Sequence, residues 1–256
     1  DCGRSIRACA LSPDARWAIA GTTDGTVSRW DLVTRERTHV TELGDEWVRS
    51  LAIDAAARLV LIGDDAGRVW LWRVGERLRE LGSHGERIAG VALQADMGVS
   101  AGGKQVHAWD LATGKRIGSS PKHEYILNAL AIARTGKHAY VCGIGASWVL
   151  ALPSCSIEHV VEHKLPVASA CVALGRPDVV VVAHEGRLER WAMREGELEL
   201  RRWLHAADIE MVAVSADDRW WASAGGLDVV VSRVEPEPAR VQLAEPLSRT
   251  AVAVNP

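Results

Sequence analysis

Phenylalanine is missing from this 256-residue chain and tyrosine occurs only twice, while tryptophan occurs eleven times, so indole supplies nearly all the large aromatic surface. A basic surplus is missing as well. Thirty Lys and Arg stand against 33 Asp and Glu, a net charge of −3, which excludes the electrostatic footprint of a nucleic-acid binder. No apolar run approaches the roughly 20 residues that a membrane helix needs, so no membrane partner is expected. The five cysteines, Cys2, Cys9, Cys142, Cys155 and Cys171, are odd in number and form no C-x-x-C pair. That excludes both a disulfide framework and a zinc ribbon, and it predicts small buried thiols in a reducing, cytoplasmic compartment. No signal peptide is visible, and the chain starts at Asp1 rather than Met, so it reads as a trimmed piece of a longer protein.

What is present is ordinary in amount and unusual in order. With 48% hydrophobic and 25% charged residues the chain can bury a sizeable core. A short apolar segment recurs about every 40 residues, at Cys9-Ala10-Leu11, Leu51-Ala52-Ile53, Val91-Ala92-Leu93, Leu130-Ala131-Ile132, Ala170-Cys171-Val172, Val212-Ala213-Val214 and Val252-Ala253-Val254. Three positions before each segment lie the repeat starts, Ile6, Val48, Ile88, Leu127, Val167, Ile209 and Arg249. Inside a period the pattern alternates strand and turn. Ser12-Pro13-Asp14-Ala15-Arg16-Trp17 is matched by Ser215-Ala216-Asp217-Asp218-Arg219-Trp220, a Ser/Asp turn followed by β-formers. The next turn carries glycine at Asp24-Gly25, Ala66-Gly67, Gly102-Gly103 and Glu185-Gly186, where a positive φ is expected. Trp30, Trp72 and Trp191 each follow 24 residues after the repeat start, and Trp109 follows 21 after the start of a shortened copy. In repeats four and six the same slot falls near Ala151 or Leu152 and at Arg233.

A unit of about 40 residues with four strands cannot bury both faces alone, so copies must stack. Arg29-Trp30-Asp31-Leu32 and Ala108-Trp109-Asp110-Leu111, with the Asp-Gly turn six residues before Trp30, resemble WD40 repeats over essentially the whole chain. The resemblance implies an all-β fold, a β-propeller of four-stranded antiparallel blades, with six full repeats and the first strand of a seventh. Residues 1–256 are then a single propeller domain. Seven blades at this period need about 280 positions, so the last blade is expected to be completed by further sequence or by another chain. The family's loop histidine, which joins a network with a strand Ser or Thr, the tryptophan and a turn Asp, is matched by His84, His123, His163 and His205. In repeat three, His84, Ser100 and Trp109 are present with Gly103 in the acidic slot, while repeat one has Asp24 and Trp30 but Cys2 for the histidine.

Three chemical motifs compete with this reading. His159-Val160-Val161-Glu162-His163 has zinc-peptidase spacing, but that chemistry needs a helix to aim both histidines at one metal, and the stretch reads as strand. Gly98 to Gln105 nearly matches a phosphate loop, yet Gln105 replaces the magnesium-binding hydroxyl and no helix follows. Gly145-Ala146-Ser147 lacks the second glycine of a nucleophile elbow. The pairs Asp64-Asp65 and Asp217-Asp218 read as turn residues. No catalytic residue, metal ligand or cofactor is therefore assigned.

The resemblance implies a non-catalytic scaffold, or the sensor and regulatory part of a signalling protein, with partner proteins on the narrow face where loops enter the innermost strands. Arg7, Trp47, Arg49, Arg87, Tyr125, Asp208, Glu210 and Arg249 occupy or border those loops, and Trp, Tyr and Arg are the types enriched at interface hot spots. Trp47 could instead cover the contact between blades one and two. Two alternatives stand beside this one. The first is a propeller binding a small molecule or metal in its central channel, as an enzyme or otherwise, although the innermost segments offer mainly small residues and Asn128. The second is an architectural module whose blade edges make the contacts.

Overall fold

The computed structural model describes residues 4–162 and, beyond them, residues 167–172, 179–194, 197–208, 211–215, 219–225, 228–233 and 238–242. The strand-and-turn alternation folds as antiparallel sheets of consecutive strands. Blade one is β1 (Ile6–Leu11), β2 (Trp17–Thr22), β3 (Thr26–Asp31) and β4 (Glu36–Glu42). Blade two is β5 (Val48–Ile53), β6 (Leu59–Asp64), β7 (Arg68–Arg73) and β8 (Arg79–Ser83). Blade three is β9 (Ile88–Gln94), β10 (Met97–Gly102), β11 (Gln105–Asp110) and β12 (Lys115–Ser119), and blade four is β13 (Leu127–Ile132), β14 (His138–Gly143), β15 (Ala146–Ala151) and β16 (Ser156–Glu162). Blade five has β17 (Val167–Val172), β18 (Val179–Arg194) and β19 (Glu197–Asp208), and blade six has β20 (Met211–Val214), β21 (Trp220–Gly225), β22 (Asp228–Arg233) and β23 (Pro238–Gln242). Among the described residues five sheets are four-stranded and blade five is three-stranded, where six full four-stranded blades were expected. The expected first strand of a seventh repeat lies outside the described residues.

The missing strand in blade five is a missing turn. β18 pairs with β17 from Val180 to His184 and with β19 from Glu185 to Arg194, running straight through the Glu185-Gly186 site.

By contact the chain divides into two compact units, Asp1–Ile126 with Pro153–Cys155, and Leu127–Leu152 with Ser156–Pro256. In the first, blade one meets blade two through a cluster containing Ile19, Val27, Leu43, Val48, Val60, Ile62 and Trp72. Blade two meets blade three through Leu61, Val69, Leu71, Ile88, Val91, Trp109 and Leu111. Alternation explains both, because successive residues of β6 face opposite ways, Val60 and Ile62 to one neighbour and Leu61 to the other. In the second unit, β17 lies against β13 and β14, and β20 lies against β17 and β18.

Register relocates the tryptophan slot in the weak copies. Trp30, Trp72 and Trp109 each pair with the second residue of the preceding strand, and in blade four the residue so paired is Leu150, fully buried. In blade six Ser232 takes the slot, because Trp220 pairs with Arg233 just as Trp17 pairs with Asp31. The residues that flank the repeated Ser turn bond alike in both copies. Ser12 Oγ accepts from Trp17 N at 2.9 Å and Ser215 Oγ from Trp220 N at 3.0 Å.

Candidate functional site

At one end of each sheet in the first unit, the loop entering the innermost strand folds over the turn between the second and third strands. Leu43 N donates to Gly25 O (3.0 Å), His84 N to Gly67 O (2.9 Å) and His123 N to Lys104 O (2.8 Å). The turn glycines have φ of 79°, 85° and 51° at Gly25, Gly67 and Gly103, as the sequence predicts. At Gly25 and Gly67 a side chain would also collide with the backbone of the loop above.

These loops and turns carry the described members of the expected partner surface. Trp47, just before β5, is 45% exposed, and the Arg7 guanidinium lies 5.3 Å from its ring centroid. Trp47 stands outside the cluster that joins blades one and two. Arg49 Nε is 3.3 Å from Asp65 Oδ1. Arg87 and Tyr125 are exposed in the next two loops, and Lys104 Nζ donates to Glu124 O beside Tyr125. The structure thus brings Arg7 to Trp47 and Arg49 to Asp65. Asp208 ends β19, while the side chain of Asp208 and all of Glu210 and Arg249 lie outside the described residues. So do His163 and the side chains of His205 and Trp191.

Beneath the surface, blade three holds the expected network. Trp109 Nε1 donates to Ser100 Oγ (2.8 Å), which lies 2.8 Å from His84 Nε2. The serine hydroxyl is then free to donate to Nε2, leaving the histidine proton on Nδ1, buried beside the Gly102 backbone without a well-formed hydrogen bond. His107, which the sequence reading missed, stacks on His84 with ring centroids 4.2 Å apart. An arginine only donates, so Arg116 Nη1 at 3.5 Å makes His107 Nε2 the acceptor, and Nδ1 carries the proton to Ser119 Oγ at 3.0 Å. Burial, then the neighbouring His107 and Arg116, push His84 down to about 3; burial and Arg116 push His107 down to about 4. Burial likewise lowers His123 to about 4. All three are neutral at physiological pH.

Asp64 corrects the reading of Asp64-Asp65 as turn residues. It ends β6 fully buried, accepting Trp70 Nε1 (2.9 Å) and Arg68 Nε (2.8 Å) at Oδ2 and Arg68 N (2.8 Å) at Oδ1. The two Trp-Asp aspartates have another task. Asp31 Oδ1 accepts from Val33 N and Thr34 N, and Asp110 Oδ1 from Ala112 N and Thr113 N, closing the turn before each outer strand. Among the competing motifs, His159 to Glu162 lies in β16, Gly98 to Gln105 forms the β10–β11 hairpin, and Ser147 is fully buried in β15. Among the described residues no three His, Cys, Asp or Glu side chains are grouped to hold a metal ion, and no helix is long and apolar enough to cross a membrane.

The WD domain, G-beta repeat family matches residues 2–31, which is blade one through the end of β3. No curated protein sequence matches the chain. Among solved structures, a chain from the crystal structure of a mitotic checkpoint complex superposes with a TM-score of 0.76 at 16% identity, over 86% of this chain and 71% of that one, a likeness of fold. With its first copy matched directly and blades two to four keeping the same strand plan, the chain has a β-propeller fold that opens with a WD repeat.

Proposed function

We propose that this propeller is a non-catalytic protein-interaction module, a scaffold or the sensor part of a larger cytoplasmic assembly, and that it takes its partner on the loops entering the innermost strands. The observation that carries the reading is Trp47, a large indole 45% exposed, outside the blade seam and stacked by Arg7. Exposed tryptophan backed by arginine is the composition of an interface anchor. Arg49, Arg87 and Tyr125 extend the anchor, with Asp208, Glu210 and Arg249 as its counterparts in the second unit. Fold alone does not fix function, so the test is at these residues. Trp47→Ala with Arg87→Ala should abolish capture of a co-purifying protein from the native host while the thermal midpoint stays within a degree or two. Capture that survives this pair but is lost on substituting Val40 of β4 and Ile117 of β12 would transfer the function to the blade edges.

A further inference from the structure

Blade one carries a guanidinium where its neighbours carry apolar side chains. Arg29 pairs with Ile19, and the residues in the same register of blades two, three and four are Leu71, Ala108 and Val149, all buried. Arg29 keeps only 9% of its surface. Its Cζ lies over the Trp17 ring, 3.5 Å from the centroid. The ring occupies the face of the guanidinium and none of its in-plane N–H donors.

No carboxylate answers those donors. Among the described residues Arg29 has no ion pair within 4.0 Å, and its Nε is sealed from solvent without an acceptor. The charges acting on it are, in order, Asp31, Arg58, Asp54 and Arg16. Both acids accept hydrogen bonds elsewhere. Asp31 gives Oδ1 to the turn backbone and Oδ2 to Arg16 Nη2 at 3.6 Å, and Asp54 Oδ1 accepts Arg58 N and Leu59 N. Buried charges are normally paired, and three arginines here face two engaged carboxylates.

We propose that Arg29, stacked on Trp17 and joined by Arg58 from blade two, is a binding site for one oxyanionic group, a carboxylate or a phosphate, at the opposite end of the sheets from the Trp47 loops. The anion supplies the counter-charge that the chain itself withholds. A planar fork on a rigid ring is suited to bidentate oxyanion recognition. The site is independent of the partner surface proposed above.

The test compares wild type, Arg29→Met and Arg58→Ala by thermal denaturation at constant ionic strength, adding sodium phosphate, sodium glutarate or sodium chloride. Wild type should gain about 3–6 °C at tenfold excess of the bound anion over its Kd and nothing from chloride. Arg29→Met should lose that gain, and Arg58→Ala should weaken it with the unliganded midpoint unchanged. Phosphate or glutarate acting alone identifies the class of oxyanion. Without anion, Arg29→Met should melt at or above wild type, because Met restores the apolar register of Leu71. Equal gains in wild type and Arg29→Met mean an adventitious ion only and overturn the site. So does the absence of any gain, or a lower unliganded midpoint for Arg29→Met, which would mean the fold itself holds the guanidinium.

Discussion

At the residue scale, the blade-three histidines tie stability to pH. His84 is held neutral down to about pH 3, whereas in the unfolded chain it takes a proton near 6.5. Its stabilising contribution is therefore complete above pH 6.5 and is lost as the pH falls toward 3, by about 1.4 kcal/mol per pH unit. Burial is the main cause, with His107 and Arg116 beside the ring adding to it. His84→Gln, which cannot titrate, should flatten the fall in urea midpoint between pH 7 and 5; an unchanged slope would show that other groups set it. At the turn after the innermost strand, Ala15, Ala57 and Ala95 have φ of 53°, 48° and 50°, where Gly136 serves blade four. A left-handed alanine is strained, and relief outweighs the added chain entropy of glycine. Ala15→Gly should thus raise stability by about 0.5–1 kcal/mol in equilibrium denaturation, and a decrease would refute the strain.

Among elements, the decisive contacts are between blades, and two glycines show how close these are. A Cβ on Gly21 of β2 would stand 2.3 Å from Val48, and one on Gly63 of β6 would stand 2.3 Å from Ile88, each the first residue of the next blade's innermost strand. Gly63→Ala should destabilise by about 1–3 kcal/mol through overpacking, and Ile88→Ala added to it should recover part of the loss. A strictly additive double mutant would place the cost elsewhere. This seam was only half legible in sequence. The repeat starts Val48 and Ile88 stood out by period, but their glycine partners read as ordinary strand residues, since the contact joins positions more than 20 apart. The fused β18 went unread because Glu185-Gly186 carries the glycine that marks a turn in the other copies.

For the molecule as a whole, blade two links the seams of the first unit, with Val60, Ile62 and Trp72 on one side and Leu61, Val69 and Leu71 on the other. Stacked repeats derive their stability from such neighbour interfaces. Trp72, almost fully buried, should cost about 3–5 kcal/mol when replaced by alanine. Because both seams pass through one sheet, blades one to three should still unfold in a single transition, followed by tryptophan fluorescence and circular dichroism; a split into two phases would show that the blades are energetically separate.

The sequence by itself determined the all-β class, the innermost strands of blades one to six to within two residues, the turn glycines and tryptophan slot of blades one to three, and the His84, Ser100 and Trp109 group. Each rests on local chemistry repeated at a fixed period, so each copy supports the next. The tertiary structure alone decided that Asp64 is buried under Trp70 and Arg68, that His107 stacks on His84, that Trp47 stays at the surface and that Arg29 lacks a counter-ion. Those four depend on which side chains of neighbouring strands and blades meet at a given depth. Aligning β3 with β7, β11 and β15 would have marked Arg29 as the odd residue in its column, but not that both nearby carboxylates were already engaged, which follows only from the placement of two turns against the blade seam.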